Sequence, residues 1–275
     1  MAKWRLIGRL LAVAGLVATA TQVQAGILYT YSEDGSLYAI DTDTRALTRV
    51  GNGPMYMQES GVEYDPIADR LLMAATGSLL SVNVKTGAPT RIGFTGISLN
   101  SGLALDNTYT LYVSSVYPSC PIYTIDMNSA HTTFLTFTIE DSVRGLAYDS
   151  ERDMLVGITQ NSNNAYSKLV SIDRTTGSTV NLASLPLIFA TGLAYDSDKD
   201  LYWVLAWLGP DAHSGLFCLD PENLVAGPEI VYHFGSVCSG LGYRSIPPVP
   251  EPTTVAIWGG LGAIGLIARR RKRDG

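Results

Sequence analysis

Acidic residues recur at a regular position along this chain and are the first candidates for chemistry. An apolar residue is followed by Asp or Asn at five places: Ile40-Asp41, Val82-Asn83, Ile125-Asp126, Ile172-Asp173 and Leu219-Asp220. A calcium loop needs several carboxylates at short spacing, and Asp41-Thr42-Asp43 supplies only two. Asp is also favoured in tight turns, because its side chain accepts hydrogen bonds from nearby backbone N–H groups. The pattern therefore predicts turns, with calcium binding as the alternative and no other cofactor.

Residues that commonly carry out catalysis form no recognisable set. His131, His213 and His233 are scattered without the spacing of metal ligands. The sequence contains no Gly-x-Ser-x-Gly elbow, phosphate-binding loop or dinucleotide fingerprint. A catalytic constellation needs a base, its partner and an orienting group that meet in space. No catalytic residue is predicted.

The three cysteines are Cys120, Cys218 and Cys238. An odd number in an oxidising compartment leaves at least one thiol without an intramolecular partner. Cys218 and Cys238 fall in the same repeat, so they are the predicted disulfide. Three buried free thiols are the alternative.

A repeat provides the framework for these residues. Gly145-Leu146-Ala147-Tyr148-Asp149-Ser150 recurs almost unchanged from Gly192, with looser copies that begin at Gly61, Gly102 and Gly240. Successive glycines are 41, 43, 47 and 48 residues apart. A period of this length, with four short strands predicted per repeat, indicates the blades of a β-propeller. The repeat that begins at Gly145 is predicted to contain four strands, over 145–149, 154–159, 168–172 and 178–185.

The glycine and Asp series are out of phase, which predicts how the ring closes. Asp41 precedes every glycine copy, and Gly240 has no Asp marker after it. The N-terminal strands therefore lack a first strand that the Gly240 copy supplies, and pairing of the two ends removes the free sheet edges. We predict an all-β propeller of five four-stranded blades, with six blades or a β-helix as alternatives. The predicted blades are residues 26–59 with 240–245, 60–100, 101–143, 144–190 and 191–239.

The end of the central channel is the default ligand site of such a fold. Polar residues that flank the first strands are predicted to lie near it: Glu59, Asn100, Arg144 and Thr191. We interpret the repeated glycines as relief of crowding near the axis. Tyr202, Trp203 and Trp207 share one strand, which favours packing between blades, with stacking on a sugar as the alternative.

Charge is distributed unevenly along the chain. The net charge is -6, but residues 26–250 contain 11 basic and 23 acidic side chains. An acidic body argues against nucleic acid as a partner and suits cations or neutral glycans.

Both ends of the chain are predicted to be targeting segments. Residues 1–25 combine Lys3, Arg5 and Arg9 with an apolar run and small residues before Gly26, which predicts a signal peptide cleaved between Ala25 and Gly26. Residues 246–252 form a proline-rich linker, 253–268 an apolar segment predicted to cross the membrane, and 269–275 a basic tail. The basic cluster consists of Arg269, Arg270, Arg271, Lys272 and Arg273.

The C-terminal pattern resembles the PEP-CTERM sorting signal of Gram-negative bacteria. The resemblance covers about the last 25 residues: the Pro250-Glu251-Pro252 motif, the hydrophobic segment and the basic cluster. It implies processing near the motif by an exosortase in the inner membrane, and then export to the cell surface or the exopolysaccharide matrix. An ordinary membrane anchor is the alternative. Both place the body outside the cytoplasm.

These observations leave three functions open. The first is a surface-sorted propeller that binds exopolysaccharide or another surface protein. The second is an extracellular propeller enzyme, similar to lactonases or lyases, with its site at the channel mouth. The third is a scaffold without a small ligand. The fold does not choose between them.

Overall fold

A computed structural model describes residues 26–52, 60–97, 100–116, 120–138, 142–160, 166–208 and 214–246. The signal peptide, Glu59, the sorting motif, the predicted membrane segment and the basic cluster lie outside these residues. Within them, no helix is long and apolar enough to cross a membrane.

The described residues form twenty β-strands and one 3-10 turn, η1 (Leu224–Ala226). The first ten strands are β1 (Ile27–Ser32), β2 (Ser36–Asp41), β3 (Leu47–Asn52), β4 (Gly61–Asp65), β5 (Arg70–Ala75), β6 (Ser78–Asn83), β7 (Pro89–Phe94), β8 (Asn100–Leu105), β9 (Leu111–Ser115) and β10 (Pro121–Ile125). The other ten are β11 (Thr132–Phe137), β12 (Val143–Asp149), β13 (Met154–Gln160), β14 (Ser167–Ile172), β15 (Thr179–Leu185), β16 (Ile188–Asp196), β17 (Leu201–Trp207), β18 (Ser214–Leu219), β19 (Glu229–His233) and β20 (Cys238–Arg244).

These strands form five antiparallel four-stranded sheets, and the sheets are the blades of a propeller. Four blades are consecutive in sequence: β4–β7, β8–β11, β12–β15 and β16–β19. The fifth has the order β20-β1-β2-β3, with Ile27 paired to Arg244 and Leu28 to Tyr243. The predicted blade number and the predicted closure by the chain ends are therefore confirmed.

The first strand of each blade lies at the centre, and each central strand contacts the next around the ring. The order is β4, β8, β12, β16 and β20, and β20 contacts β4 again. Five apolar clusters fill the spaces between neighbouring blades. The second strands are apolar on both faces because each is covered by a blade on either side. Leu71 to Ala75 of β5, for example, are fully buried.

The five repeated glycines form a ring of close contacts that we call the glycine ring: Gly61, Gly102, Gly145, Gly192 and Gly240. A Cβ on Gly102 would lie 2.4 Å from the backbone nitrogen of Leu146, in the next blade. A Cβ on Gly240, the last member, would lie 2.4 Å from the carbonyl oxygen of Ser60, in the blade that contains the first. Side chains cannot fit at such distances, so the interpretation of these glycines as relief of crowding is confirmed.

The Asp and Asn series shapes turns, as predicted. In each blade the side chain at the end of the third strand accepts hydrogen bonds from backbone N–H groups two or three residues later. Asp173, for example, accepts from Thr175 at 2.8 Å and from Thr176 at 2.7 Å. These bonds hold the pKa of Asp173 below its usual value.

Candidate functional site

A cavity of about 460 Å³ opens at one end of the central channel, and we call it the cup. Its walls are the last residues of the five central strands and the turns that follow them. The described lining residues are Glu63, Tyr64, Pro66, Ile67, Leu105, Asp106, Asn107, Tyr109, Ala147, Tyr148, Ser150, Ala194, Tyr195, Ser197, Tyr243 and Ser245. Five are tyrosines, two are acidic and none is basic.

Glu63 is the residue of the cup that departs most from the repeat. It follows its glycine by two positions, where the other blades have Ala104, Ala147, Ala194 and Gly242. Its Oε1 accepts the backbone N–H of Tyr64 at 2.8 Å, and the backbone N–H of Leu105 also donates to its carboxylate. Burial raises the pKa of Glu63 to about 8, and these two hydrogen bonds lower it only in part.

Three of the five tyrosines that line the cup follow the same rule: each donates a hydrogen bond to an Asp residue in the turn of its own blade. Tyr148 donates to Asp153 at 2.5 Å and Tyr195 donates to Asp200 at 2.7 Å, each within its own turn. Tyr64 donates to Asp69 in the same way at 2.8 Å. These Asp residues occupy the left-handed position of each turn, with φ of 47° to 52°. The pairs fix the tyrosine rings around the cup.

One blade breaks this rule. Its turn has Tyr109 in the left-handed position, with φ of 64°, and Leu105 in the place of the tyrosine. Tyr109 donates instead to Asp65 of the neighbouring blade. Tyr243 also crosses between blades, since it donates to Asp198 at 2.7 Å. The five phenol groups therefore all donate to carboxylates. The rings of Tyr64, Tyr109 and Tyr243 are partly exposed at the cup, whereas Tyr148 and Tyr195 are buried between blades.

The basic residues around the cup are already paired. Arg174 binds Asp106 at 3.1 Å and Asp153 at 2.8 Å, and its guanidinium lies 5.6 Å from the ring centre of Tyr148. Arg244 binds Asp69 at 2.9 Å. Burial would raise the pKa of Asp106, but hydrogen bonds from Thr108, Thr110 and Tyr112 outweigh it and lower the pKa. Asp106 is thus a saturated structural carboxylate, whereas Glu63 makes no ion pair with any described basic residue.

The residues predicted to flank the ligand site lie at the opposite ends of the central strands. Asn100 begins β8, and Arg144 and Thr191 precede their glycines in β12 and β16. Thr191 donates to the carbonyl oxygen of Cys238 at 3.3 Å, which links neighbouring blades. The cup lies at the other end of the central strands, so these residues do not line it.

The cysteines and the aromatic strand have structural surroundings. Cys120, Cys218 and Cys238 are free thiols in this structure, without the predicted disulfide, and only Cys238 is buried, so the alternative of three buried thiols holds in part. Burial raises the pKa of Cys238 to about 12, which makes it unreactive at neutral pH. Tyr202 and Trp203 are buried between blades, as the packing interpretation requires. Trp207 packs edge-on against Phe189, with ring centres 5.6 Å apart.

The cup can bind but contains no recognisable catalytic set. Within the described ranges, no three His, Cys, Asp or Glu side chains are grouped to hold a metal ion. Glu63 could exchange a proton near pH 8, but the neighbouring tyrosine hydroxyls are engaged with carboxylates. In the cup, aromatic rings thus lie around one carboxyl group that makes no ion pair, that of Glu63. The sequence signal for it was the replacement of Ala by Glu in one repeat.

Comparison with known proteins adds the fold and little more. A family model described as a domain of unknown function, DUF4394, matches residues 7–104. No curated protein matches the sequence. A chain of the nidogen/laminin complex is similar in structure, with a TM-score of 0.55, 14% identity, and coverage of 80% of this chain and 98% of that one. A structural genomics protein of unknown function from Bacteroides thetaiotaomicron gives a TM-score of 0.50 at 16% identity and covers 74% of this chain and 54% of that one.

Proposed function

We propose that this protein is an exported, surface-sorted β-propeller that binds a glycan of the extracellular matrix in the cup. The observation that carries the proposal is a 460 Å³ cavity lined by three partly exposed tyrosines, Tyr64, Tyr109 and Tyr243, without a basic residue among its described lining. Tyrosine rings stack on the apolar faces of sugars, and the hydroxyl groups of the rim serve as hydrogen-bond partners. The acidic body disfavours polyanions.

Export is the second part of the proposal. It rests on the N-terminal signal sequence and on the resemblance of the C-terminal residues to an exosortase substrate. The nidogen/laminin complex contains a chain of similar fold in a protein assembly, which keeps a surface protein as the other possible partner. The two alternative functions differ from this proposal. An enzyme would need a second reactive group beside Glu63. A scaffold would have no ligand in the cup.

Tyr109 provides the test of glycan binding, because it is partly exposed at the cup and contributes one of its rings. We expect Tyr109→Ala to weaken binding of matrix oligosaccharides about 3- to 10-fold, since an aromatic contact contributes roughly 0.5–1.5 kcal/mol beyond its buried area. The measurement is isothermal titration of the full-length chain in detergent with oligosaccharides from the producing cell's matrix.

The matched control is Tyr166→Ala. Tyr166 is 37% exposed beside β14 and does not line the cup, so this variant should bind like the unaltered protein. Circular dichroism would establish that both variants fold. Equal affinities for all three proteins would contradict binding in the cup, and so would the absence of binding by any of them.

A further inference from the structure

We propose that Glu63 selects glycans that carry a free amine, such as deacetylated amino sugars. The inference rests on the proposed function, because it concerns the ligand class of the same cup. It begins from the repeat: four blades place Ala or Gly two residues after the glycine, and one places a carboxyl group there. The other four blades pack without a carboxyl group at this position, whereas that of Glu63 accepts hydrogen bonds from the backbone of Tyr64 and Leu105.

No basic side chain of the described residues forms an ion pair with Glu63. The nearest basic residues are engaged elsewhere: Arg70 binds Asp65 at 2.9 Å, and Arg244 binds Asp69 at 2.9 Å. Of the described lining residues none is Lys, Arg or His. An ionised carboxylate at this half-buried position needs a partner, and a cationic group of the ligand would supply it.

The tyrosine rings favour the same kind of ligand. A protonated amine is attracted to the face of an aromatic ring, and the attraction strengthens when water is excluded. Two ring faces already hold cations of the protein itself, with Arg244 5.2 Å from the centre of Tyr64 and Arg174 5.6 Å from that of Tyr148. No such contact is found for Tyr109, Tyr195 or Tyr243 among the described residues. Of these, Tyr109 and Tyr243 are partly exposed at the cup, and their rings and the Glu63 carboxyl group together form an acceptor for an ammonium group.

The amine has a defined place in this scheme. A sugar ring stacks on tyrosine, and its amine takes up the proton that Glu63 holds at neutral pH. The resulting ammonium group donates charge-assisted hydrogen bonds to the Glu63 carboxylate. An N-acetylated sugar of the same size keeps the stacking but cannot take up the proton. The part of the preference that a change at Glu63 removes therefore reports on Glu63, whereas binding of either ligand reports on the cup.

The experiment compares chitosan and chitin oligosaccharides of equal length, titrated at pH 7 into the full-length chain in detergent. The unaltered protein should bind the deacetylated oligomer at least about 10-fold more tightly, because a charge-assisted hydrogen bond contributes roughly 1.5–3 kcal/mol. Glu63→Gln should remove most of this preference by weakening the binding of the deacetylated oligomer. Glu63→Ala, which copies the residue of three other blades, should do the same. Glu229→Gln, at an exposed glutamate of β19, should change neither affinity.

Three results would overturn the inference, and they are distinguishable. Equal affinities for the two oligomers, unaltered in Glu63→Gln, would remove Glu63 as a selector and leave the proposed function intact. Equal losses for both oligomers in the Glu63 variants would show that Glu63 supports the cup without reading the amine. Binding of neither oligomer, with other matrix glycans bound, would exclude amino sugars as the class. If no glycan bound at all, the proposed function itself would fail.

Discussion

The carboxyl group of Glu63 holds its proton more tightly in the folded protein than in the unfolded chain. Its pKa rises from 4.5 to about 8 on folding, because burial penalises the charged form. Between these two values the folded state binds more protons than the unfolded state. The free energy of unfolding that this group contributes therefore falls as the pH rises from about 4.5 through about 8.

Glu63→Gln should remove this pH dependence. We expect the variant to gain stability relative to the unaltered protein as the pH rises from 5 to 9, by about 2 kcal/mol or roughly 4–8 °C in Tm for a domain of this size. Thermal unfolding followed by circular dichroism at several pH values would measure the difference. The other titratable groups near the cup are common to both proteins and cancel: Asp65, Arg70, Asp106, Tyr109, Tyr148, Tyr195, Tyr243 and Arg244. A difference in Tm that stays constant from pH 5 to 9 would contradict the raised pKa.

The central strands owe their close approach to the glycine ring, and this dependence can be measured. Gly102 has a backbone conformation open to any residue, so its replacement tests space alone. A Cβ there would lie 2.4 Å from the nitrogen of Leu146 and 2.7 Å from the carbonyl carbon of Gly145, both of them backbone atoms that cannot rotate away. The blades would have to move apart.

Gly102→Ala should destabilise the propeller by about 1–3 kcal/mol or more, as overpacking does in other cores. Chemical denaturation of the full-length chain in detergent would measure the loss. Gly235→Ala is the matched control, because a Cβ at Gly235 would meet nothing within 4 Å and Gly235 likewise has an ordinary φ. Its effect should stay within about 0.5 kcal/mol. Equal stability of the two variants would mean that the central strands tolerate separation.

The strands and the ring closure could be predicted from the sequence because both depend on local patterns that recur. The first strand of the fourth blade was predicted to start at Gly145 and starts at Val143, and the last was predicted at 178–185 and spans Thr179–Leu185. The position of the cup could not be predicted, because both ends of each central strand carry polar residues. Glu63 was not predicted as a site residue, because the repeat pattern marks the residues that the blades share and Glu63 is an exception to it.

The protein as a whole is an acidic propeller between two segments with opposite charge character. Residues 26–250 have a net charge of -12, and the basic residues that offset it lie at the ends of the sequence. The proposed export would separate this acidic body from the basic ends of the sequence. The proposed function requires that separation, since the matrix ligand lies outside the cell.

Replacement of Pro250, Glu251 and Pro252 by alanine should retain the protein in the inner membrane of its host. In the sorting proposal a processing enzyme recognises this motif, and alanine removes both its carboxylate and the two prolines that fix their own φ. Membrane fractionation and immunoblotting would follow the protein. Alanine at Pro247 and Pro248, in the same linker but outside the motif, should leave release unchanged. Normal release of the triple variant would contradict the sorting proposal.

The pairing of β20 with β1 gives the folding of this protein an order in time. Strands β1 to β3 leave the ribosome first, yet their sheet is completed only when Cys238–Arg244 arrives. Until then β1 presents an unpaired edge, which is the part of a β-protein most prone to pair with another chain. Contacts between residues so distant in sequence also form slowly. The earliest strands to be made are therefore the last to be protected, and a chain stalled before Cys238 would stay exposed to aggregation.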